Sequence, residues 1–148
     1  MIKKRLTIDN QIIESSLRRF SNKSQGNIDV VSAANYIRNS NKYFYANEND
    51  NFIKLTRIKY PFEGFLPKFV FIFDKNNFQN YSIRPGILSV ILFAFLIALF
   101  FLALTISIVR NEEEEIVINT FGIILLYLIL GFIEYKISSK KINYILGR

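Results

Sequence analysis

The sequence predicts an α+β membrane protein: N-terminal helices and a four-stranded antiparallel sheet, followed by a two-helix transmembrane hairpin. Three observations carry this expectation. Ile87–Val109 runs 23 residues without a charge and 116–133 runs another 18, lengths that belong to helices crossing a bilayer. Ahead of them, apolar residues at helical spacing give way near residue 42 to runs rich in aromatic and β-branched residues, the change of period expected where helices are followed by strands. Finally, a chain of 148 residues leaves only 1–84 for a soluble module, a size at which a single hydrophobic core is marginal.

The first helix is expected over about 10–20. Asp9 is placed to cap it, Ile13, Leu17 and Phe20 follow the i, i+4, i+7 pattern, and Arg18 and Arg19 lie where the helix dipole favours cations. Residues 21–27, with Gly26, read as a linker. Val30, Ala34 and Ile37 then predict a second, short helix over about 28–38. Strands follow over about 43–46, 52–60, 68–74 and 78–84. The joints at 48–51 and 75–77 are rich in Asn, which tolerates the positive φ of hairpin turns, and the joint at 61–67 holds two prolines and Gly64. Because Phe69, Phe71 and Phe73 alternate with Val70 and Ile72, the third strand is apolar on both faces and should be central.

At about 1.5 Å per residue, the first span makes a helix of roughly 34 Å and the second one of roughly 27 Å, against a hydrocarbon core of ~30 Å. The six residues between them are too few to cross back, so the spans form a tight antiparallel hairpin with both ends on one side. Residues 1–84 carry a net charge of +7, the turn −3 and 134–148 +3. Lys75, Arg84, Lys136, Lys140 and Lys141 against a single Arg110 place both termini in the cytoplasm of a bacterial inner membrane. The same five cations are the expected contacts with anionic lipid. Glu112, Glu113, Glu114 and Glu115 read as a solvated turn, since adjacent carboxylates seldom converge on a cation. Ala94, Ala98 and Thr105 share one helical face, and Asn119, Gly122 and Leu126 share another. Small or polar residues let backbones approach, so these faces are expected to touch. Residues 136–148 read as a basic amphipathic cytoplasmic tail, along the interface or docked on the domain.

With no Cys and no His, the chain lacks disulfides, thiolate nucleophiles, His-containing triads, and the usual ligands of zinc and copper. There is no phosphate-binding glycine loop and no pair of catalytic carboxylates, so neither an enzyme nor a cofactor is expected. Asp9, Glu14, Arg18 and Arg19 interrupt the place where a signal peptide would need an apolar core. The interleaving of Arg57, Lys59, Lys68, Lys75 and Arg84 with aromatics resembles an RNA-reading face, but cations beside a span follow from topology, and no nucleic-acid partner is expected.

The segments Phe52-Ile53-Lys54-Leu55-Thr56-Arg57, Phe65-Leu66-Pro67, Ile83-Arg84-Pro85 and Gly131-Phe132-Ile133-Glu134 resemble uncharacterised bacterial two-span membrane proteins with a small N-terminal cytoplasmic α/β domain. The resemblance implies the architecture and no activity. An anchor joined to an apolar sheet without catalytic residues then suggests a small interaction protein: an accessory subunit, adaptor or immunity-like factor. Its expected partners are membrane lipid and a second protein or further copies of itself. The alternative is a homo-oligomeric pore or transporter component lined by Asn119, Thr120 and Thr105.

Overall fold

The computed structural model describes residues 1–24, 26–29, 41–60, 63–110 and 115–147. Among the described residues the chain forms six strands and three helices, in the order β1 (Ile2–Arg5), α1 (Asn10–Phe20), β2 (Ser21–Lys23), β3 (Phe44–Glu48), β4 (Phe52–Arg57), β5 (Phe69–Asp74), β6 (Asn77–Pro85), α2 (Ile87–Arg110) and α3 (Glu115–Ile145). The helix expected over 28–38 lies, from residue 30 on, outside the described residues.

All six strands join one sheet in the order β1-β6-β5-β4-β3-β2. The four expected strands form its centre as a continuous antiparallel meander, with Phe71 paired to Leu55 on one side and to Ile83 on the other. The sheet is nevertheless wider than the four strands expected. At one edge β1 pairs antiparallel with β6, Ile2 opposite Ile83, and at the other β2 runs parallel to β3, Ser21 opposite Phe44. Both additions are short strands recruited by the backbone of a longer neighbour, which is why no run of apolar residues announced them. Their Lys3, Lys4, Arg5 and Lys23 also place cations on the open edges, a feature that discourages edge-to-edge pairing.

Helix α1 carries the chain from one edge of the sheet to the other. Asp9 caps it, accepting from the Gln11 amide at 2.8 Å, and Ile13 and Leu17 are buried as their spacing predicts. Arg18 pairs with Glu14 on its own helix and with Glu48 at the end of β3, both at 2.9 Å. Lys75 reaches the same Glu48 at 2.8 Å, and hydrogen bonds from Arg18 and Lys75 hold that carboxyl down at about 2.

One face of the sheet presents Phe44, Ile53, Leu55, Phe71, Phe73, Tyr81 and Ile83 to a single core. Alternation along the strands puts these side chains on one side. The core is closed by Ile13 and Leu17 of α1 and, from the far end of the sequence, by Ile142, Ile145 and Leu146. α3 is therefore one continuous helix of 31 residues, about 46 Å long at 1.5 Å per residue. Its first half belongs to the apolar hairpin and its last three turns belong to the domain. Of the two placements expected for 136–148, along the interface or docked on the domain, the structure has the second, with the segment forming part of the sheet's covering layer.

α2 and α3 are both long and apolar enough to cross a membrane, and only 11% and 6% of their most apolar stretches are buried inside the protein. Their mutual contact runs through rings: Phe93 stacks on Tyr127 with centroids 6.0 Å apart, and Phe100 lies 6.2 Å from Phe121. Ala103 and Ile124 are buried. Ala94, Ala98, Thr105, Asn119, Gly122 and Leu126, expected to meet across the hairpin, are instead all exposed on its outside. A Cβ added at Gly122 would meet nothing within 4 Å. The physical reason is which helical face turns inward. The helices face each other instead through the side that carries Ser89, Phe93, Phe100 and Ala103, where ring stacking supplies the contact. Thr105 and Thr120 satisfy their hydroxyls on the carbonyls of Phe101 and Ile116, four residues back on their own helices.

Candidate functional site

The seam between the apolar hairpin and the sheet concentrates the buried charge of the molecule. On β4 the inward alternation Ile53, Leu55 continues to Arg57, so the strand's geometry drives a guanidinium into the core face, where it is 4% exposed. An unpaired cation there would be prohibitively costly. Its partner is Glu134, the first charged residue after the second apolar run and only 1% exposed. Arg57 donates from Nε to Oε1 at 3.0 Å and from Nη2 to Oε2 at 2.5 Å, a bidentate pair linking residues 77 positions apart. Ser138, one turn further along α3, donates to Glu134 Oε1 at 2.9 Å. The remaining side of the guanidinium donates from Nη1 to Glu63 at 2.7 Å, and Glu63 in turn accepts from the Tyr60 amide at 2.9 Å.

Burial works against the Arg57 charge, but the two carboxylates outweigh it and raise its pKa above the ordinary value. Burial likewise opposes ionisation of Glu63, yet the Tyr60 amide and Arg57 keep its pKa below the usual range. Lys59 completes the group. Its ammonium donates to the carbonyls of Leu66 and Pro67, and burial brings its pKa down to about 8, against the pull of Glu134. A lysine whose folded pKa lies below its unfolded value binds fewer protons when folded, so stability rises with pH between the two values. Folded Lys59 sheds its proton first, and the penalty for burying its charge is relieved from about pH 8 up to the ordinary 10.5. Denaturant unfolding is therefore expected to show a gain over that window of about 2–3 kcal/mol. The gain should be absent in Lys59→Met.

A second polar set holds the entrance of α2. Arg84, at the end of β6, pairs with Asp29 at 2.7 Å, and Asp29 is itself only 3% exposed. Lys68 donates its ammonium to the Ile28 carbonyl, while its amide donates to Ser89 Oγ at 2.7 Å. Tyr127 of α3 donates its hydroxyl to the Ser89 carbonyl at 2.8 Å, so the residue leading into β5, helix α2 and helix α3 meet at one serine. Gly86 is what lets them meet. Its amide donates to the Lys68 carbonyl at 2.7 Å, and a Cβ at this position would sit 3.3 Å from Lys68 Cβ, tighter than ordinary contact.

The five cations expected at anionic lipid are thus dispersed. Lys75 sits at the turn between β5 and β6, the far end of a nine-residue strand from α2, about 30 Å away at ~3.3 Å per residue, where it pairs with Glu48. Arg84 is engaged by Asp29. Lys141 lies over the Tyr43 ring at 4.5 Å, on the domain's covering helix. Lys136 lies over the Phe132 ring at 4.8 Å, at the end of the apolar stretch, and Lys140 is exposed one turn beyond it. Of the acidic turn, Glu112, Glu113 and Glu114 lie outside the described residues, and among the described residues no cluster of three His, Cys, Asp or Glu forms.

Sequence reasoning did not foresee Arg57 with Glu134, although a signal was present. An arginine in the inward register of a strand needs an acid, and Glu134, Ser138, Ile142 and Ile145 continue a helical stripe beyond the apolar run. No family model matches the chain, and comparison with curated proteins and with solved structures gives no match to either.

Proposed function

We propose that the chain is an integral membrane interaction protein, a helical hairpin that holds a sheet domain rigidly at the cytoplasmic surface of a bacterial inner membrane and presents it to a partner protein. The observation that carries this reading is the nakedness of α2 and α3: two helices of membrane-crossing length whose apolar side chains, among them Phe95, Phe101, Ile108, Phe121 and Phe132, are more than half exposed. Apolar surface on that scale is not left in water. A lipid bilayer covers it. The domain adds no catalytic constellation among the described residues, and it is joined to the hairpin twice, through Gly86 after β6 and through the unbroken α3. Such a double joint fixes the sheet's orientation, which suits a docking platform better than a tethered enzyme.

The absence of cysteine gives a clean background for testing the topology. Ile116→Cys is expected to react with a membrane-impermeant maleimide from outside intact cells, and Asn49→Cys and Asn143→Cys only after permeabilisation. The opposite pattern would overturn the orientation, and release of the chain by alkaline carbonate would overturn the membrane reading. A mild-detergent pull-down with native mass spectrometry tests the interaction role. A stoichiometric second chain supports it. A lone monomer counts against it, and a homo-oligomer favours a pore.

A further inference from the structure

Where the hairpin meets the sheet, the structure encloses a groove of 440 Å³ walled by Ile2, Phe93, Tyr127, Gly131, Phe132 and Tyr135. Its volume lies within the ~300–1,000 Å³ of small-molecule sites. The lining is almost wholly apolar, so the groove has few partners for water. Its walls continue directly into the bare outer surface of the hairpin, since Val90, Leu128 and Phe132 line the groove and are also exposed by about half. Under the membrane reading proposed above, on which this inference rests, those residues lie at the cytoplasmic end of the hydrocarbon core and the groove opens to the inner leaflet.

Two cations stand over the rings that wall it. Lys4, from β1, holds its ammonium 5.2 Å from the centroid of the Tyr135 ring, and Lys136 holds its own 4.8 Å from that of Phe132. Tyr135 and Phe132 are neighbours on one face of α3 and both are groove walls. Among the described residues no carboxylate lines the cavity, and the nearest acid along α3, Glu134, is turned away into its pair with Arg57. An apolar slot open to lipid with two ammonium groups at its mouth matches the two ends of one class of molecule. We infer that the groove binds an anionic phospholipid, one acyl chain lying along Phe93, Tyr127 and Gly131 and the phosphate met by Lys4 and Lys136.

Two cations near a membrane surface correspond to roughly a 30-fold preference for an anionic over a zwitterionic headgroup. The test places the full chain in nanodiscs of equimolar phosphatidylglycerol and phosphatidylcholine, followed by native mass spectrometry of the released protein. The expected result is one retained phosphatidylglycerol, favoured by at least about tenfold. Lys4→Gln with Lys136→Gln is expected to bring the two lipids to parity while an adduct persists. Gly131→Leu is expected to remove the adduct of both lipids. A Cβ there meets only Pro67 at 3.8 Å, an ordinary contact, so the helix accepts the side chain and the groove is filled. Equal retention of the two lipids by the unaltered chain, or an adduct undiminished by Gly131→Leu, overturns the site while leaving the membrane reading intact. Release of the unaltered chain from membranes by carbonate overturns the membrane reading itself.

Discussion

Arg57→Met is expected to cost about 3–5 kcal/mol, because it removes one partner of a buried pair and strands the other. Glu134 is 1% exposed and would keep one hydrogen bond, from the Ser138 hydroxyl, and the weaker attraction of the Lys59 charge. The compensating change separates the pair's net worth from the cost of orphaning a charge. Arg57→Met combined with Glu134→Leu is expected to recover most of the loss, since apolar replacement of a buried ion pair is often neutral or better. Glu63 tolerates losing Arg57, being a quarter exposed and already accepting the Tyr60 amide. Amide exchange of β4 and β5 in the detergent-solubilised full chain reads both variants. Equal losses in the single and double variants would show that Arg57 acts through something other than Glu134.

Combined truncation of Ile142, Ile145 and Leu146 to alanine should unfold the domain outright. Each is at most 5% exposed and joins the same core as Phe44, Phe71 and Phe73. Large-to-small changes at such sites cost about 2–5 kcal/mol apiece, and three together rival the ~5–15 kcal/mol that holds a domain folded. The expected readout is divided. Residues 1–84 become susceptible to protease while the hairpin stays in the membrane and resists carbonate extraction. Were this segment an amphipathic helix lying on the bilayer, the same changes would leave the protease resistance of 1–84 untouched.

These two variants probe the features least visible before the fold was known. The parallel pairing of β2 with β3 involves Ser21, Asn22 and Lys23, three residues without an apolar pattern, and β1 is mostly cationic. Each becomes a strand because a longer neighbour offers unpaired backbone groups at its edge, a cause that lies outside the strand itself. The expected contact of Ala94 and Ala98 with Gly122 failed for a related reason. Small residues permit close approach but do not compel it, and the stacked rings of Phe93 and Tyr127 lie on the face that turns inward. The cap at Asp9, the buried Ile13 and Leu17, the central four-strand meander and the two apolar helices were all readable.

The sequence by itself determined α1, the central four-strand meander and the two apolar helices, in that order, because hydropathy, side-chain period and turn chemistry act within a window of a few residues. Only the tertiary structure decided that α3 continues through the domain, that Glu134 meets Arg57 across 77 positions, and that Lys4 and Lys136 stand over rings lining one groove. Those contacts join residues far apart in the chain. Their energies depend on burial and geometry that no local window contains.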